Sequence, residues 1–341
     1  MLQSGFFDLQ NRYQKLSELG DPLEVMNGVV DWERFRPVLK KALKKSRKNT
    51  AGRRPYDSVL MFKVLVLQSL YNLSDDQTEY QIRDRFSFLR FLKLTPEAVI
   101  PDAKTVWLFR ESLKEAKVMD QLFTGFEGYL TGLGYKAQKG TVVDARIVSV
   151  PKQRNSREEN QTLKDGLIPA DWVKQPAKLA QKDTQARWTR KHGKHFYGYK
   201  NHLAIDVKHK LVRGYTVTPA STHDSQEFET LLKAPNTRKA IWADGAYQSE
   251  AHAELLKSRG IQNHLHERPW KDQALTPVQR RRNKRRSRIR ARVEHVFGHQ
   301  VTSMRQTIVR TIGQARAEIK IGLANLAYNM SRLGQLERLA T

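Results

Sequence analysis

The chain has 341 residues, 39% of them hydrophobic and 9% aromatic, enough for about two domains with real cores and too apolar for wholesale disorder. Lys and Arg number 61 against 35 Asp and Glu, a net charge of +26, and such an excess seeks a polyanion, nucleic acid first. Cysteine is absent; disulfides, thiolate nucleophiles and Cys-based zinc sites are excluded, and any metal must be held by oxygen or imidazole.

The first 135 residues read as helical, because apolar side chains recur at spacings of three and four, as at Val59, Phe62, Val66, Leu70 and Leu73. The apolar stretch 59–73 is interrupted by Lys63 and Gln68 and falls short of the roughly 20 residues a bilayer requires. The N-terminus lacks the basic start and apolar core of a signal peptide, so the expected location is inside the cell, with no membrane partner. Ser74-Asp75-Asp76-Gln77 has the capping-box pattern and opens a helix expected to run towards Leu92. Pro96 and Pro101 punctuate it, and further helices are expected over 102–113 and 119–133, the latter closed by Gly134. Two readings fit this helical domain: a helix-turn-helix that binds DNA, or a bundle that pairs two chains. Nine Lys or Arg among residues 36–54 are either a DNA contact or a flexible linker.

The pattern changes at Gly140. Thr141-Val142-Val143-Asp144 is a short β-branched run closed by an acid, the pattern of a buried strand that ends in a functional site. Residues 151–195 carry few apolar anchors and are expected as a long functional or partly ordered loop. Strands are expected at 197–207 and 211–219, joined by the turn Lys208-His209-Lys210. A helix at 225–233, a strand at 240–243, a helix at 250–259 and a strand at 261–266 complete a β, β, β, α, β, α, β order. Thr276-Pro277 opens a long helix reaching about Met304, and a final helix carries Ile312, Ala315, Ile319, Leu323, Leu326, Met330 and Leu333 near one face.

Three acids stand out by position: Asp144 after one strand, Asp244 after another, and Glu294 on the helix that follows. A mixed sheet of the derived order brings the first two to one edge, and a helix packed across that edge supplies the third. Clustered carboxylates repel one another unless divalent cations neutralise them, and oxygen-only ligation suits Mg²⁺, with Mn²⁺ as a substitute. Two such ions would drive hydrolysis and transesterification of a phosphodiester. Nine Lys or Arg fall among residues 280–292, a density that calls for a polyanion. Arg281, Arg282, Arg285, Arg286 and Arg290 are the candidate phosphate contacts there, and Arg290, four residues before Glu294, doubles as a helix ion pair. Lys200, with Lys191, Lys194 and Trp188, makes a second candidate DNA-facing group, while Tyr197 and Tyr199 read better as core. His223-Asp224 reads as a helix cap with Asp224 at the cap position, or as a fourth metal-proximal acid.

The stretches VVDARIVSV, WADGAYQS and RARVEHVFG, in this order, resemble the three acidic motifs of bacterial insertion-sequence DDE transposases. PDAKTVWLFRESL, QRNSREEN, ARWTRKHGKHFYGYKNHLAIDVKHKL, VTPASTHDSQ and RTIGQARAEIKIGLANLAYNM resemble the family named after insertion sequence five. The resemblance covers roughly residues 53–333. It implies an α+β, ribonuclease H-like mixed sheet flanked by helices over 136–341, with 151–195 inserted, behind an all-helical domain over 1–135. It also implies that Asp144, Asp244 and Glu294 are both catalytic and metal-holding. Implied too are cleavage at terminal inverted repeats of double-stranded DNA, joining of the 3′ ends to target DNA, a homodimer in the synaptic complex, and a nucleoid-associated location in the cytoplasm. Related enzymes carry a Tyr and a Lys where this chain has Ser287 and Val301, so those two phosphate contacts do not carry over. The rival readings are a metal-dependent nuclease on the same fold that cuts without joining, and a basic DNA-binding protein whose acids are structural.

Overall fold

Asp21, Asp57, Ser74 and Asp102 each accept a backbone N–H at the start of a helix, and these side-chain caps divide the first third of the chain into short helices. The computed structural model describes residues 8–43, 55–234, 239–269 and 273–340. It groups into two units, one made by residues up to 130 together with those from 323 onward, the other by 131–322. No helix among the described residues is long and apolar enough to cross a membrane.

The first unit contains α1 (Asp8–Glu18), α2 (Pro22–Val29), α3 (Arg36–Ala42), α4 (Ser58–Tyr71), α5 (Asp75–Asp84), α6 (Phe86–Leu92), α7 (Ala103–Glu115) and α8 (Met119–Gly132). Sequence spacing assigns α4 one apolar face, yet it is buried nearly all round, with Val59, Phe62, Val64, Leu65, Val66 and Leu67 at 5% exposure or less. Trp32, Phe35, Phe91 and Phe126 pack about it, Phe35 lying 4.7 Å from Phe62 between ring centroids. The helix expected to continue to Leu92 breaks at Arg85, which is extended. Its guanidinium lies over the rings of Tyr71 and Phe88, and the break turns Phe88, Leu89, Phe91 and Leu92 inward. Of the basic cluster at 36–54, Arg36 is spent on ion pairs with Glu33 and Asp57, and 44–54 lie outside the described residues.

The second unit is built on a six-stranded sheet of β1 (Thr141–Ser149), β2 (Arg187–Lys191), β3 (Lys194–Asp206), β4 (Val212–Pro219), β5 (Ala240–Trp242) and β6 (Gln262–Asn263). β3 runs antiparallel to both β1 and β4, whereas β5 joins β1, and β6 joins β5, in parallel. This is the ribonuclease H-like arrangement. The β3–β4 turn at Lys208-His209-Lys210 forms as expected, Lys210 adopting φ 59°. β6 is two residues long rather than the six expected at 261–266. The strand at 141–144 does not stop at its acid but runs five residues further.

One face of the sheet buries Val143, Ala204 and Ile241 against Phe228, Leu231, Tyr247 and Leu256, from α12 (Phe228–Leu231), α13 (Glu250–Ser258) and the loop before it. The other buries Val148, Tyr199 and Val217 against Val309, Ala317 and Ile321. α14 (Pro277–Thr302) packs on β1, and α15 (Gln314–Ala340) passes from the second unit to the first at residues 322–323. The expected loop at 151–195 is instead folded into α9 (Arg157–Lys164), α10 (Ala170–Val173), α11 (Pro176–Ala180) and β2. Two local devices explain this. Ser156 and Glu159 form a reciprocal capping box, and fully buried Trp172 donates its indole N–H to Glu159 Oε1 at 2.6 Å under the Lys182 ammonium.

Candidate active site

Asp144 projects from the middle of β1, on the sheet face covered by α14. The parallel register pairs Thr141 with Ile241 and Val142 with Trp242, so continuing it two residues sets Asp244 level with Asp144 on the neighbouring segment. The chain turns there: Asp244 caps a 3₁₀ turn, its Oδ1 accepting from Ala246 N at 2.8 Å. Glu294 lies on α14, its side chain 59% exposed. Arg290, one turn earlier, donates to Asp144 Oδ2 at 2.6 Å and to Glu294 Oε1 at 3.0 Å. A guanidinium therefore bridges the first and third acids.

The electrostatics of the site are dominated by burial. Burial pushes the Asp144 carboxyl up to about 6, and neighbouring Asp244 pushes the same way; Arg290, the Ala145 N–H and Lys191 act against them without restoring the ordinary value. The Tyr247 phenol is held well above its ordinary range by burial and by Asp144, Asp224 and Asp244. Its hydroxyl is buried without a hydrogen-bond partner. Burial, then Arg290, pushes the His266 imidazole below its ordinary value, and burial pushes His202 down to about 4 against the opposing pull of Asp224. Tyr247 sits inside the WADGAYQS stretch, but nothing in its spacing announces that three acids converge on it.

The remaining candidates divide. Asp224 is not the helix cap; His223 holds that position, accepting from Ser225 N, because Asp224 turns inward to pair with Lys200 at 2.8 Å. Lys200 also donates to Thr222 O and is 13% exposed at its side chain. Along α14 the arginines follow helical spacing. Arg282, Arg286, Arg290 and Glu294 are four residues apart and share one stripe, Arg282 and Arg286 pairing with Glu267 at 2.8 and 3.1 Å. Arg281 and Arg285 lie on the exposed side. Ser287, at the expected tyrosine position, lies 3.4 Å from His266 Nε2. Tyr197 and Tyr199 are buried, whereas Trp188 is 39% exposed.

Every candidate donor is a carboxylate oxygen, the set a hard divalent cation takes. Asp144 and Asp244 fit as a pair, and the buried Tyr247 hydroxyl, without a hydrogen-bond partner, lies within electrostatic reach of both. Glu294 fits only by letting go of Arg290, and among the described residues no three acids or histidines stand close enough together to hold an ion.

Residues 135–330, more than half of the chain, match a family model described as a transposase DDE domain. Residues 10–112 match another described as a transposase domain (DUF772). No solved structure matches the chain.

Proposed function

The chain belongs to the DDE transposases, and from that premise we propose that it cuts DNA at the terminal inverted repeats of an insertion sequence and joins the freed 3′ ends to target DNA. Its motifs support, on this reading, a member of the family named after insertion sequence five, acting as a nucleoid-associated bacterial enzyme. The observation that carries the proposal is that Asp244 follows two residues after the parallel β1–β5 pairing and acts electrostatically on Asp144, while Arg290 ties Glu294 to Asp144.

The reaction is two in-line displacements. A water oxygen bonds to phosphorus as the P–O3′ bond breaks, leaving a 3′ hydroxyl; that hydroxyl then attacks a target phosphodiester and expels the target's own 3′ oxygen. Asp144 and Asp244 would hold the divalent ions the family uses, Mg²⁺ with Mn²⁺ as substitute, and Glu294 would complete the second position. When bound, the ions supply Lewis-acid stabilisation of charge on the phosphodiester oxygens. The chain's own side chains do the rest. Arg290, displaced from the carboxylates, turns its fork to a phosphate. Arg281 and Arg285 grip the backbone of the same strand. Arg282 and Arg286 hold the loop at Glu267 against α14, and Lys200 keeps Asp224 in place. The helical unit supplies end recognition and the pairing of two subunits that synapsis demands.

The decisive experiment is cleavage and joining of labelled end DNA by the full chain with Mg²⁺. Cleavage with joined product supports the proposal; cleavage without joining leaves the nuclease reading, and DNA binding with neither leaves a basic binding protein.

A further inference from the structure

β2 and the start of β3 form a hairpin whose tip projects beyond the buried part of the sheet. Its turn, His192-Gly193, has two successive positive φ angles, 49° and 75°, the two-residue geometry that matches the strands' twist. Every residue from Arg190 to His195 is exposed, and among the described residues neither Arg190, Lys191 nor Lys194 makes an ion pair. Unpaired cations on a projecting tip are placed for an external anion.

Trp188 stands at the root of this tip and differs from the chain's other tryptophan in the same insertion. Trp172 is fully buried with its indole N–H satisfied; Trp188 remains 39% exposed. It is nevertheless held. Buried Tyr197 backs it at 5.1 Å between centroids, and the Lys152 ammonium sits 5.8 Å from its ring. A supported ring with open surface and cations around it is the arrangement on which a base stacks while its phosphates are gripped.

The tip also has a fixed address. β3 leaves β1 at Gly198, whose φ of 151° and lack of Cβ are required, since a Cβ there would meet Val148 O at 2.3 Å. Beyond Gly198, Lys191 comes within electrostatic reach of Asp144. The hairpin therefore addresses the strand that lies at the acids.

We propose that Trp188 stacks on an unpaired base of the DNA strand being processed while Arg190, Lys191 and Lys194 hold its phosphates, so that the second unit prefers an opened strand to intact duplex. The proposal rests on the DNA-processing reading above and adds a substrate feature to it.

The test measures fluorescence anisotropy of the full-length protein with two probes, an oligothymidylate of about twenty nucleotides and a closed duplex without free ends. Trp188→Ala is expected to weaken oligothymidylate binding about tenfold and duplex binding less than twofold. Trp188→Phe retains most of the affinity, because the π-face remains. Lys191→Gln with Lys194→Gln weakens both probes and flattens their salt dependence. Equal loss on both probes, no loss on either, or a Phe variant no better than Ala would overturn the stacking role. A wild-type protein that binds neither probe would instead fail the DNA-processing reading itself, and this proposal with it.

Discussion

Two aspartates three steps apart along the β1–β3 ladder each meet an arginine, with opposite results. Asp206 lies opposite Thr141 and Asp144 opposite Leu203, so they point to opposite faces of the sheet. Asp206 and Arg213 are both fully buried at their side chains and paired at 2.8 Å, with His209 N also donating to Asp206, and Arg213 spends a further donor on Tyr135 O. Asp144 and Arg290 are paired as closely, at 2.6 Å, yet keep 14% and 23% exposure, and the Asp144 carboxyl is still pushed up to about 6. The first pair is closed upon itself and can only hold the fold. The second is open, over-buried for its charge, and shares its arginine with a third acid. A functional carboxylate is marked by what its environment leaves undone.

The largest contrast lies in activity. Asp144→Asn, Asp244→Asn and Glu294→Gln are each expected to lower cleavage of end DNA by roughly 10³-fold or more, about 4 kcal/mol in the barrier, with gel-shift affinity for that DNA close to wild type. A folded Asp144→Asn protein retaining a tenth of wild-type cleavage would put the open pair on the same footing as the closed one.

Stability should reverse the ranking. Arg213→Met leaves Asp206 sealed without its cation, a loss of about 3–5 kcal/mol in urea unfolding, whereas Arg290→Met, at a partly open site, is expected to cost less than about 1 kcal/mol. Equal losses would mean that Arg290 is structural too.

The open acid also carries a pH signature. A carboxyl whose folded pKa is raised from 3.8 to about 6 gives stability that is fully present below 3.8 and lost as pH rises through about 6. In chelator, Asp144→Asn should therefore match wild type near pH 3.5 and exceed it above pH 7, by up to about 3 kcal/mol. An Asn variant less stable than wild type at pH 8 would contradict the over-burial of Asp144.

The smallest effect carries the comparison to the arginines of α14. Neutralising Arg281 and Arg285, which are open, should flatten the dependence of log affinity on log salt by about 0.9 for each duplex phosphate left without its arginine. Neutralising Arg282 and Arg286, already paired with Glu267, should flatten it less. Identical slopes for the two double variants would show that the pairing with Glu267 does not persist on DNA.

Much of this is legible in the residues, because the signals are local. Thr276-Pro277, Asp102 and the Lys208–Lys210 turn each fix their own backbone, and α14, α7 and the β3–β4 connection begin or turn where expected. The positions of the three acids are legible for the same reason, each standing near a recognisable strand or helix. What escapes depends on partners far along the chain. The bridge from Arg290 to Asp144 spans 146 residues, and local spacing reveals only its Glu294 half. Asp224 reads as a cap until Lys200, 24 residues earlier, is brought beside it. The break at Arg85 is decided by rings from two different helices. The order of the 151–195 insertion escapes for another reason: Ser156 and Glu159 form a legible local box, but too few apolar neighbours surround it to suggest a folded segment.

That insertion departs from the sheet and returns to it at almost the same place. Val150 N bonds to Tyr197 O directly after β1 ends, so the excursion opens and closes on adjacent strands. Closing a loop grows costlier only with the logarithm of its length, about 0.6 kcal/mol for each doubling. A change in the length of this excursion therefore costs little in closure entropy and leaves the β1 position of Asp144 in place.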